Sequence, residues 1–163
     1  MIIVGIDPGL KGAIATLSNG RPAVRIMPTL KMGKSKLTLD ERLIFQILKR
    51  RAEAIEHVFI EKVSAMPGQG VTSCFNFGCG WGVLRGICVG LQLPYTLVHP
   101  TTWKRVMCKD MPKGSKDTSI IIAKRLWPDV NLRPTPRSRK DSDGLADALL
   151  IAEYGRRLLP TTS

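Results

Sequence analysis

The sequence predicts an α/β fold, in which short strands form a sheet and helices cover it. An apolar segment at residues 1–6 begins the chain, and an Asn19-Gly20 pair, typical of a tight hairpin, follows a second β-rich segment. Two further β-rich runs, at 57–63 and 95–98, alternate with longer segments of helical pattern. Alternation of this kind is typical of a sheet with helices packed on its faces.

Short connections join the first three strands, which are therefore expected to form an antiparallel meander. These strands are predicted at 1–6, 12–17 and 23–27. The next segment contains glycine and serine, and is expected to be an exposed loop that carries Lys31, Lys34 and Lys36. Thr38 and Glu41 then match a capping box, which predicts a helix from this point to about residue 54.

Residues 72–92 predict a long helix that is apolar on all sides. Glycine recurs at every fourth position and would line one helix face, at Gly78, Gly82, Gly86 and Gly90. Because each glycine lowers helix stability, a smooth face for close backbone approach is the expected compensation. Shorter helices are expected at 103–107, from Ser115 or Asp117 to Trp127, and at about 142–158, the last after a basic linker at 129–141.

Positive charge dominates the composition. The 163 residues include 25 Lys plus Arg against 13 Asp plus Glu, which gives a net charge of +12. A field of this sign concentrates polyanions at the surface, and nucleic acid is the expected partner. The length suits a single domain over residues 1–163, and no internal repeat is visible.

Nothing in the sequence indicates a membrane. No apolar run is long enough to span a bilayer, and no basic amphipathic helix with a bulky aromatic face is visible. The first strand lacks the basic flank of a signal peptide and meets Asp7 too early, so an intracellular protein is expected. The four cysteines include no C-x2-C pair, and neither a zinc site nor a disulfide is expected.

Four acidic residues stand at the ends of predicted elements. Asp7 ends the first strand and Glu61 ends a later one, while the last helix carries Asp143 and Asp147 on one face. If the two strands are neighbours, the helix need only cross their ends to bring all four carboxylates together. Such oxygen donors suit Mg2+ or Mn2+, and two ions can activate a water and stabilise the leaving oxygen of a phosphodiester.

Each carboxylate also has an ordinary structural explanation. Asp7 is followed by Pro-Gly, which is typical of a turn, and Glu61 is followed by a lysine, which is typical of a solvated rim. Asp141 and Asp143 are typical helix caps. Asp147 fits a solvated face poorly because alanines flank it on a helix that otherwise faces inward. The four residues in this order favour a metal-dependent nuclease site.

Three sequence blocks resemble the RuvC-type Holliday junction resolvases, which belong to the ribonuclease-H-like superfamily. The blocks are IVGIDPG at 3–9, FIEKV at 59–63 and DGLADALLIA at 143–152. The resemblance implies a five-stranded mixed sheet flanked by helices, a homodimer, and paired symmetric nicks in a four-way DNA junction. It also implies that the four acidic residues are the metal-binding and catalytic tetrad, with two Mg2+ or Mn2+ ions.

One position departs from the bacterial pattern of this family. Bacterial members usually carry the third ligand three residues before the last, where this chain has Gly144. The four-residue spacing from Asp143 to Asp147 is more similar to phage, viral and mitochondrial members, and Asp141 is a further candidate. Such a protein is expected in the cytoplasm, that of the host if it is phage-encoded, and a mitochondrial location stays open.

The resemblance also implies where the partners bind. The family's dimer contact is made largely by the helix after the Glu strand, here 75–91, although burial of this helix within one subunit is the alternative. Candidate DNA contacts are basic residues beside the site and two residues that could wedge into the junction, namely Lys62, Lys113, Lys116, Arg137, Arg139, Lys140, Met66 and Phe75. For Phe75 a core position is favoured over the wedge, because aromatic side chains are more often core.

Three other functions match parts of the pattern. A related nuclease that acts on RNA–DNA hybrids, flaps or other branched DNA would carry a similar tetrad, so only substrate preference separates it. An actin-like ATP-binding protein needs a second phosphate loop and a second lobe, for which 163 residues leave no room. A junction-binding protein without catalysis would be indicated by a missing carboxylate, and all four are present.

Overall fold

A computed structural model of the chain describes residues 1–33, 36–64, 68–112 and 117–160. Its main sheet contains five strands in the order β3-β2-β1-β6-β7, and a separate hairpin pairs β4 with β5. The strands are Ile2–Asp7 (β1), Ala13–Ser18 (β2), Arg21–Ile26 (β3), Thr29–Met32 (β4), Lys36–Leu39 (β5), Ile55–Glu61 (β6) and Tyr95–Val98 (β7).

The main sheet is mixed. β1, β2 and β3 form the predicted antiparallel meander, while β6 runs parallel to β1 and β7 runs parallel to β6. The carboxyl ends of β1, β6 and β7 therefore meet at one edge, which we call the carboxyl edge and define by Asp7, Glu61 and Val98. The predicted α/β class, with a five-stranded mixed sheet flanked by helices, is confirmed.

Helices cover both faces of the sheet. They are Glu41–Lys49 (α1), Val71–Gly90 (α2), Pro100–Met107 (α3), Thr118–Leu126 (α4) and Asp143–Leu158 (α5). Successive side chains of a strand point to opposite faces, so β1 contributes to two cores. Ile2, Val4 and Ile6 pack with α1 and α2, whereas Ile3 packs with α3 and α5.

Helix α5 lies directly against β1 and β6. A Cβ added at Gly5 would lie 2.2 Å from the main-chain oxygen of Ala148, and one added at Gly155 would lie 2.1 Å from the ring of Phe59. These distances are far inside van der Waals contact, so only glycine allows the helix to approach the sheet this closely. The close packing fixes the start of α5 over the carboxyl edge.

The segment after β3 differs from the prediction of an exposed loop. It forms the β4–β5 hairpin, with Lys31 and Lys36 exposed on it, while Lys34 lies outside the described residues. Apolar and β-branched residues on both sides of Gly33, which has a φ of 65°, explain why the segment pairs with itself.

The predicted capping box of the first helix is wrong. Thr38 belongs to β5, and Asp40 is the N-cap of α1, where its side chain accepts a hydrogen bond of 2.9 Å from the Leu43 amide. The helix also ends at Lys49 rather than near residue 54, and a 3-10 turn at Ala52–Ala54 leads the chain into β6. Aspartate is a strong N-cap residue, and here it lies next to the first helical residue.

Helix α2 confirms the predicted long helix, but one of its aromatic side chains lies elsewhere than expected. Phe75 is 70% exposed, so the expected core position is wrong. The sheet covers only one side of α2, where Leu84 and Cys88 are buried, and Phe77 instead of Phe75 approaches Gly9. A Cβ added at any of the four regularly spaced glycines would meet no atom of the described residues within 4 Å, which leaves that face open.

Helix α4 begins without a side-chain cap. Of its two predicted caps, Ser115 lies outside the described residues, and Asp117 occupies the N-cap position with a left-handed φ of 57° and no side-chain cap hydrogen bond.

In the described part of the chain, no helix combines the length and the apolar character that crossing a bilayer requires.

Candidate active site

Asp7 and Glu61 lie side by side at the carboxyl edge. Each is the last residue of its strand, and the parallel register pairs Ile6 with Ile60 immediately before them. Both side chains are partly buried. In open α/β sheets, ligands characteristically bind at the carboxyl ends of the strands, so this edge is the first place to seek a functional site.

Helix α5 brings Asp147 to the same edge. A Cβ added at Gly144 would lie 3.1 Å from Asp7 Oδ2 and 2.4 Å from the main-chain oxygen of Lys11. The first turn of α5 therefore rests on the turn that follows β1, and no side chain fits at position 144. This contact explains in steric terms why an acidic residue stands at Asp143 and not at the next position.

Burial and like charge shape the ionisation of Asp7. Burial, together with the charges of Glu61 and Asp147, raises the pKa of Asp7 from 3.8 to about 8, although the charge of Lys104 acts in the opposite direction. A carboxylate resists ionisation when it loses water and faces other carboxylates. The three acidic side chains are thus close enough to repel one another.

The pKa values of the other two carboxylates are raised as well. Burial raises the pKa of Glu61, and the charge of Asp147 adds to this effect, while a hydrogen bond from Trp103 opposes it. Burial also raises the pKa of Asp147, and the charge of the exposed Asp143 adds to it. All four predicted acidic residues therefore belong to one electrostatic neighbourhood.

Lys104 is the cation nearest to this neighbourhood among the described residues. Its Nζ lies 3.6 Å from Asp147 Oδ2, and its charge lowers the pKa values of Asp7, Glu61 and Asp147. Its side chain is 49% exposed, so the ammonium group is free to move toward solvent. The residue comes from α3, which begins two residues after β7 and hence starts at the carboxyl edge.

Three further side chains contact the acidic residues. Trp103 donates a 2.9 Å hydrogen bond from Nε1 to Glu61 Oε1, and Trp81 donates a 3.1 Å hydrogen bond to the main-chain oxygen of Glu61. Buried Ser119 of α4 hydrogen-bonds to Asp147 and lowers its pKa.

Sequence reasoning missed these residues and Lys104. One available signal was the position of Trp103 and Lys104, because a helix that follows a strand parallel to the Glu61 strand must begin at the same edge. No comparable signal marks Trp81, in the middle of α2, or Ser119, in the first turn of α4.

The chemistry of the donors fits a hard divalent cation. Every acidic group at the edge offers oxygen, and the buried Oδ1 of Asp147 has no hydrogen-bond partner among the described residues. Within the described ranges, no three histidine, cysteine, aspartate or glutamate side chains lie close enough to hold one ion. Asp147 instead pairs with Lys104, so metal binding would need this ion pair to open and the Asp147 carboxylate to rotate.

Asp141, the further candidate ligand, pairs with another group. Its carboxylate forms an ion pair with Lys124 of α4, and it does not contribute to the raised pKa values of the acidic residues at the edge. This ion pair fastens the segment before α5 to α4. The Ser142 amide further donates a 2.9 Å hydrogen bond to the main-chain oxygen of buried Leu132.

The predicted DNA contacts have varied positions. Arg137, Arg139 and Lys140 are exposed on the segment that leads into α5, and Lys62 is partly buried next to Glu61. Phe75 is exposed on the first turns of α2. Met66, Lys113 and Lys116 lie outside the described residues.

The fold is shared with solved structures of RuvC. A Thermus thermophilus RuvC structure is 16% identical with a TM-score of 0.60, and the match covers 97% of this chain and 96% of that one. A structure of T. thermophilus RuvC in complex with Holliday junction substrate is 14% identical, has a TM-score of 0.61 and gives the same coverage. The yeast mitochondrial Holliday junction resolvase Ydc2 is 16% identical with a TM-score of 0.52, over 94% of this chain and 77% of that one.

These similarities confirm the predicted resemblance at the level of the fold. The chain shares the fold of these RuvC structures over nearly its whole length. No protein-family model matches the sequence. No curated protein sequence matches it either.

Proposed function

We propose that this chain is a metal-dependent endodeoxyribonuclease that resolves four-way DNA junctions by symmetric paired nicks, with one nuclease domain over residues 1–163. The observation that carries the proposal is the cluster of Asp7, Glu61 and Asp147 at the carboxyl edge of a RuvC-like sheet. Buried carboxylates that repel one another are costly unless a cation joins them. Acidic residues are few in this chain, which has a net charge of +12, so their clustering at one place favours a functional role.

The metal ligands would be the four predicted acidic residues. Asp7, Glu61 and Asp147 would hold Mg2+ or Mn2+ from the two strands and the helix, and the exposed Asp143 would reach the site from its solvent side. Two such ions, when bound, activate a water and stabilise the leaving oxygen of a phosphodiester. The unpartnered Oδ1 of Asp147 supports its role as a ligand.

The remaining residues at the edge would bind and orient the DNA backbone. Lys104 balances the charge of Asp147 in the absence of metal, and its exposed ammonium could turn to a phosphate oxygen when metal binds. Arg137, Arg139 and Lys140 lie on the segment that leads into α5, whose first turn contacts Asp7, so their phosphate contacts would lie on the side of the acidic cluster where α5 begins. Lys62, next to Glu61, could contact the same strand.

The proposed assembly is a homodimer through α2. Its open glycine face and the exposed side chains of Val71, Phe75 and Val89 form an apolar surface that water would otherwise solvate. A second copy could cover the glycine face by close helix packing, while Phe75, at the end of α2 near the carboxyl edge, would stay available to the junction centre. Two-fold symmetry then suits two symmetric cuts.

The substrate class is supported by the junction complex of T. thermophilus RuvC, which has the same fold. A four-way junction offers two equivalent strands, as the proposed dimer offers two equivalent sites. Action on such DNA would take place inside a cell, in the cytoplasm or in a mitochondrion.

The test is incubation with three labelled substrates in Mg2+ or Mn2+: a mobile four-way junction, a linear duplex and an RNA–DNA hybrid. We expect paired symmetric nicks in the junction only, and no nicks with Asp7→Asn. Cleavage of the hybrid in preference to the junction would replace the proposal with the related hybrid nuclease. No cleavage of any substrate would refute the nuclease.

A further inference from the structure

Glu61 is held at two places by two different indoles. The Nε1 group of Trp103 donates to the carboxylate oxygen Oε1 at 2.9 Å, and that of Trp81 donates to the main-chain oxygen at 3.1 Å. One hydrogen bond restrains the side chain, and the other restrains the end of the strand that carries it. Among the described residues, no other acidic residue at the carboxyl edge receives two indole hydrogen bonds.

The two indoles are themselves fixed by packing. Trp103 of α3 is fully buried among β1, β6, β7 and α5. Trp81 of α2 packs against the core on the opposite face of the sheet, and the guanidinium of Arg85 lies 4.7 Å from its ring centroid. Glu61 is therefore held from both faces of the sheet, by the helices that precede and follow β7.

An indole suits this task for a chemical reason. Its N–H group donates one hydrogen bond, accepts none and does not titrate, so it can orient a carboxylate without competing for a cation. The bond to Oε1 leaves the other oxygen of Glu61 and a further lone pair available to a metal. Lys104, in contrast, brings a positive charge that a bound cation would repel.

We propose that Trp103 and Trp81 are positioning residues that fix the carboxylate and the backbone of Glu61 for a divalent cation. This inference rests on the metal site of the proposed function and concerns two residues that no sequence motif singles out. Hydrogen-bond partners of metal ligands typically change metal affinity about 10- to 100-fold when they are removed. Loss of the Trp103 donor should therefore weaken metal binding within that range.

The third tryptophan provides a matched control. Trp127 also donates its indole N–H to a main-chain oxygen at 3.2 Å, but the acceptor is Gly20, in the turn between β2 and β3. Its ring packs at the margin of two core clusters, one of which includes Trp103, and its hydrogen bond is not made to Glu61. Trp127→Phe thus removes the same type of hydrogen bond without a change at Glu61.

The first experiment measures Mn2+ binding to the full chain by calorimetry, without DNA. We expect Trp103→Phe to bind Mn2+ about tenfold or more weakly than wild type, and Trp127→Phe to bind it like wild type. Circular dichroism verifies that both variants fold. Equal Mn2+ affinity of Trp103→Phe and wild type would overturn the inference, and so would an equal loss in both variants.

The second experiment uses the wild-type protein, so it holds even if Trp103→Phe fails to fold. Mg2+ is titrated into 15N-labelled protein, and the indole N–H signals are assigned with Trp127→Phe and Trp81→Phe, which leaves Trp103 by elimination. The Trp103 signal should shift as the metal draws on its acceptor, while the Trp127 signal stays in place. A Trp103 signal that does not move while the metal binds would refute the inference.

The two proposals fail in different ways. Absence of Mn2+ binding by wild type would remove the metal site and, with it, the role of the indoles. Normal binding by wild type and by Trp103→Phe would leave the metal site intact and remove only the positioning role.

Discussion

Asp7 is a partly buried carboxylate and Glu153 is a buried one, but their neighbours act on them in opposite ways. Asp7 faces Glu61 and Asp147, which add to the effect of burial and raise its pKa to about 8. Burial alone would raise the pKa of Glu153 too, yet hydrogen bonds from Arg156 and Arg157 outweigh it and leave this pKa below its ordinary value. The neighbours of Asp7 therefore repel its carboxylate, whereas the neighbours of Glu153 stabilise its carboxylate within α5.

Replacement of Asp7 should abolish activity and at the same time raise the stability of the metal-free protein. We expect Asp7→Asn to abolish junction cleavage and to stabilise the metal-free protein by on the order of 1 kcal/mol, because repulsion within the acidic cluster is relieved. Thermal unfolding in a chelator measures the second effect. Asp129→Asn, in the exposed turn after α4, is the control and should change neither property. A metal-free Asp7→Asn protein no more stable than wild type would contradict the repulsion.

Glu153 should make the free energy of unfolding depend on pH in the acidic range. Its folded pKa lies below the ordinary value of 4.5, so its contribution is complete above that value and is lost as the pH falls through the folded pKa. Glu153→Gln should therefore lower stability at neutral pH and flatten its dependence below about pH 5. Denaturant unfolding between neutral pH and acid measures this difference. Glu53→Gln, at an exposed position, should keep the wild-type profile.

The placement of Asp7 and Glu61 at strand ends and of Asp147 on a helix face could be predicted from the sequence, and the resemblance to RuvC-type proteins added that the three residues lie close together. Their metal-binding role stays a prediction. The contacts of Trp103 and Lys104 could not be predicted, because they depend on side-chain rotamers at the start of a short helix. In the sequence, a tryptophan at this position is typical of a core residue, and a lysine is typical of a solvent-exposed surface residue.

At the scale of the elements, the long or strongly patterned segments were predictable. The antiparallel meander and α2 follow from a turn signal and from twenty helical residues. The β4–β5 hairpin could not be predicted in the same way, because its strands have only four residues each and lysines interrupt the apolar pattern. A short strand forms only when another strand pairs with it, and the sequence pattern alone does not show which segment that is.

Two residues, Asp40 and Thr38, are candidates for the N-cap of α1, and their replacement distinguishes between them. Because Asp40 accepts the hydrogen bond from the Leu43 amide, Asp40→Ala should destabilise the protein by about 1 kcal/mol. Thr38→Val removes the hydroxyl but keeps the β-branched shape that suits β5, and it should change stability little. Denaturant unfolding compares the two. A larger loss with Thr38→Val would restore the capping box that the sequence suggested.

At the scale of the whole molecule, strand order is the property that creates the site. β6 lies next to β1 although β2, β3, the β4–β5 hairpin and α1 separate them in sequence, and this neighbourhood brings Asp7 to Glu61. Local periodicity does not predict such a long-range pairing; the three sequence blocks that resemble RuvC-type proteins did. The same fold persists at 16% identity because the sheet requires apolar alternation and a few glycines rather than particular side chains.

The open face of α2 is the largest-scale feature that the isolated chain leaves unexplained, and a second copy would explain it. Gly82 lies in the middle of the glycine face, where an added Cβ meets no described atom within 4 Å. Gly82→Leu should therefore fold, with the higher helix propensity of leucine, but it should prevent close helix packing and give monomers in sedimentation. Gln46→Leu adds the same side chain to the exposed side of α1 and should leave a dimer intact. If Gly82→Leu sediments as a dimer, the subunits must meet elsewhere, and the two sites of the proposed resolvase would need a different symmetry axis.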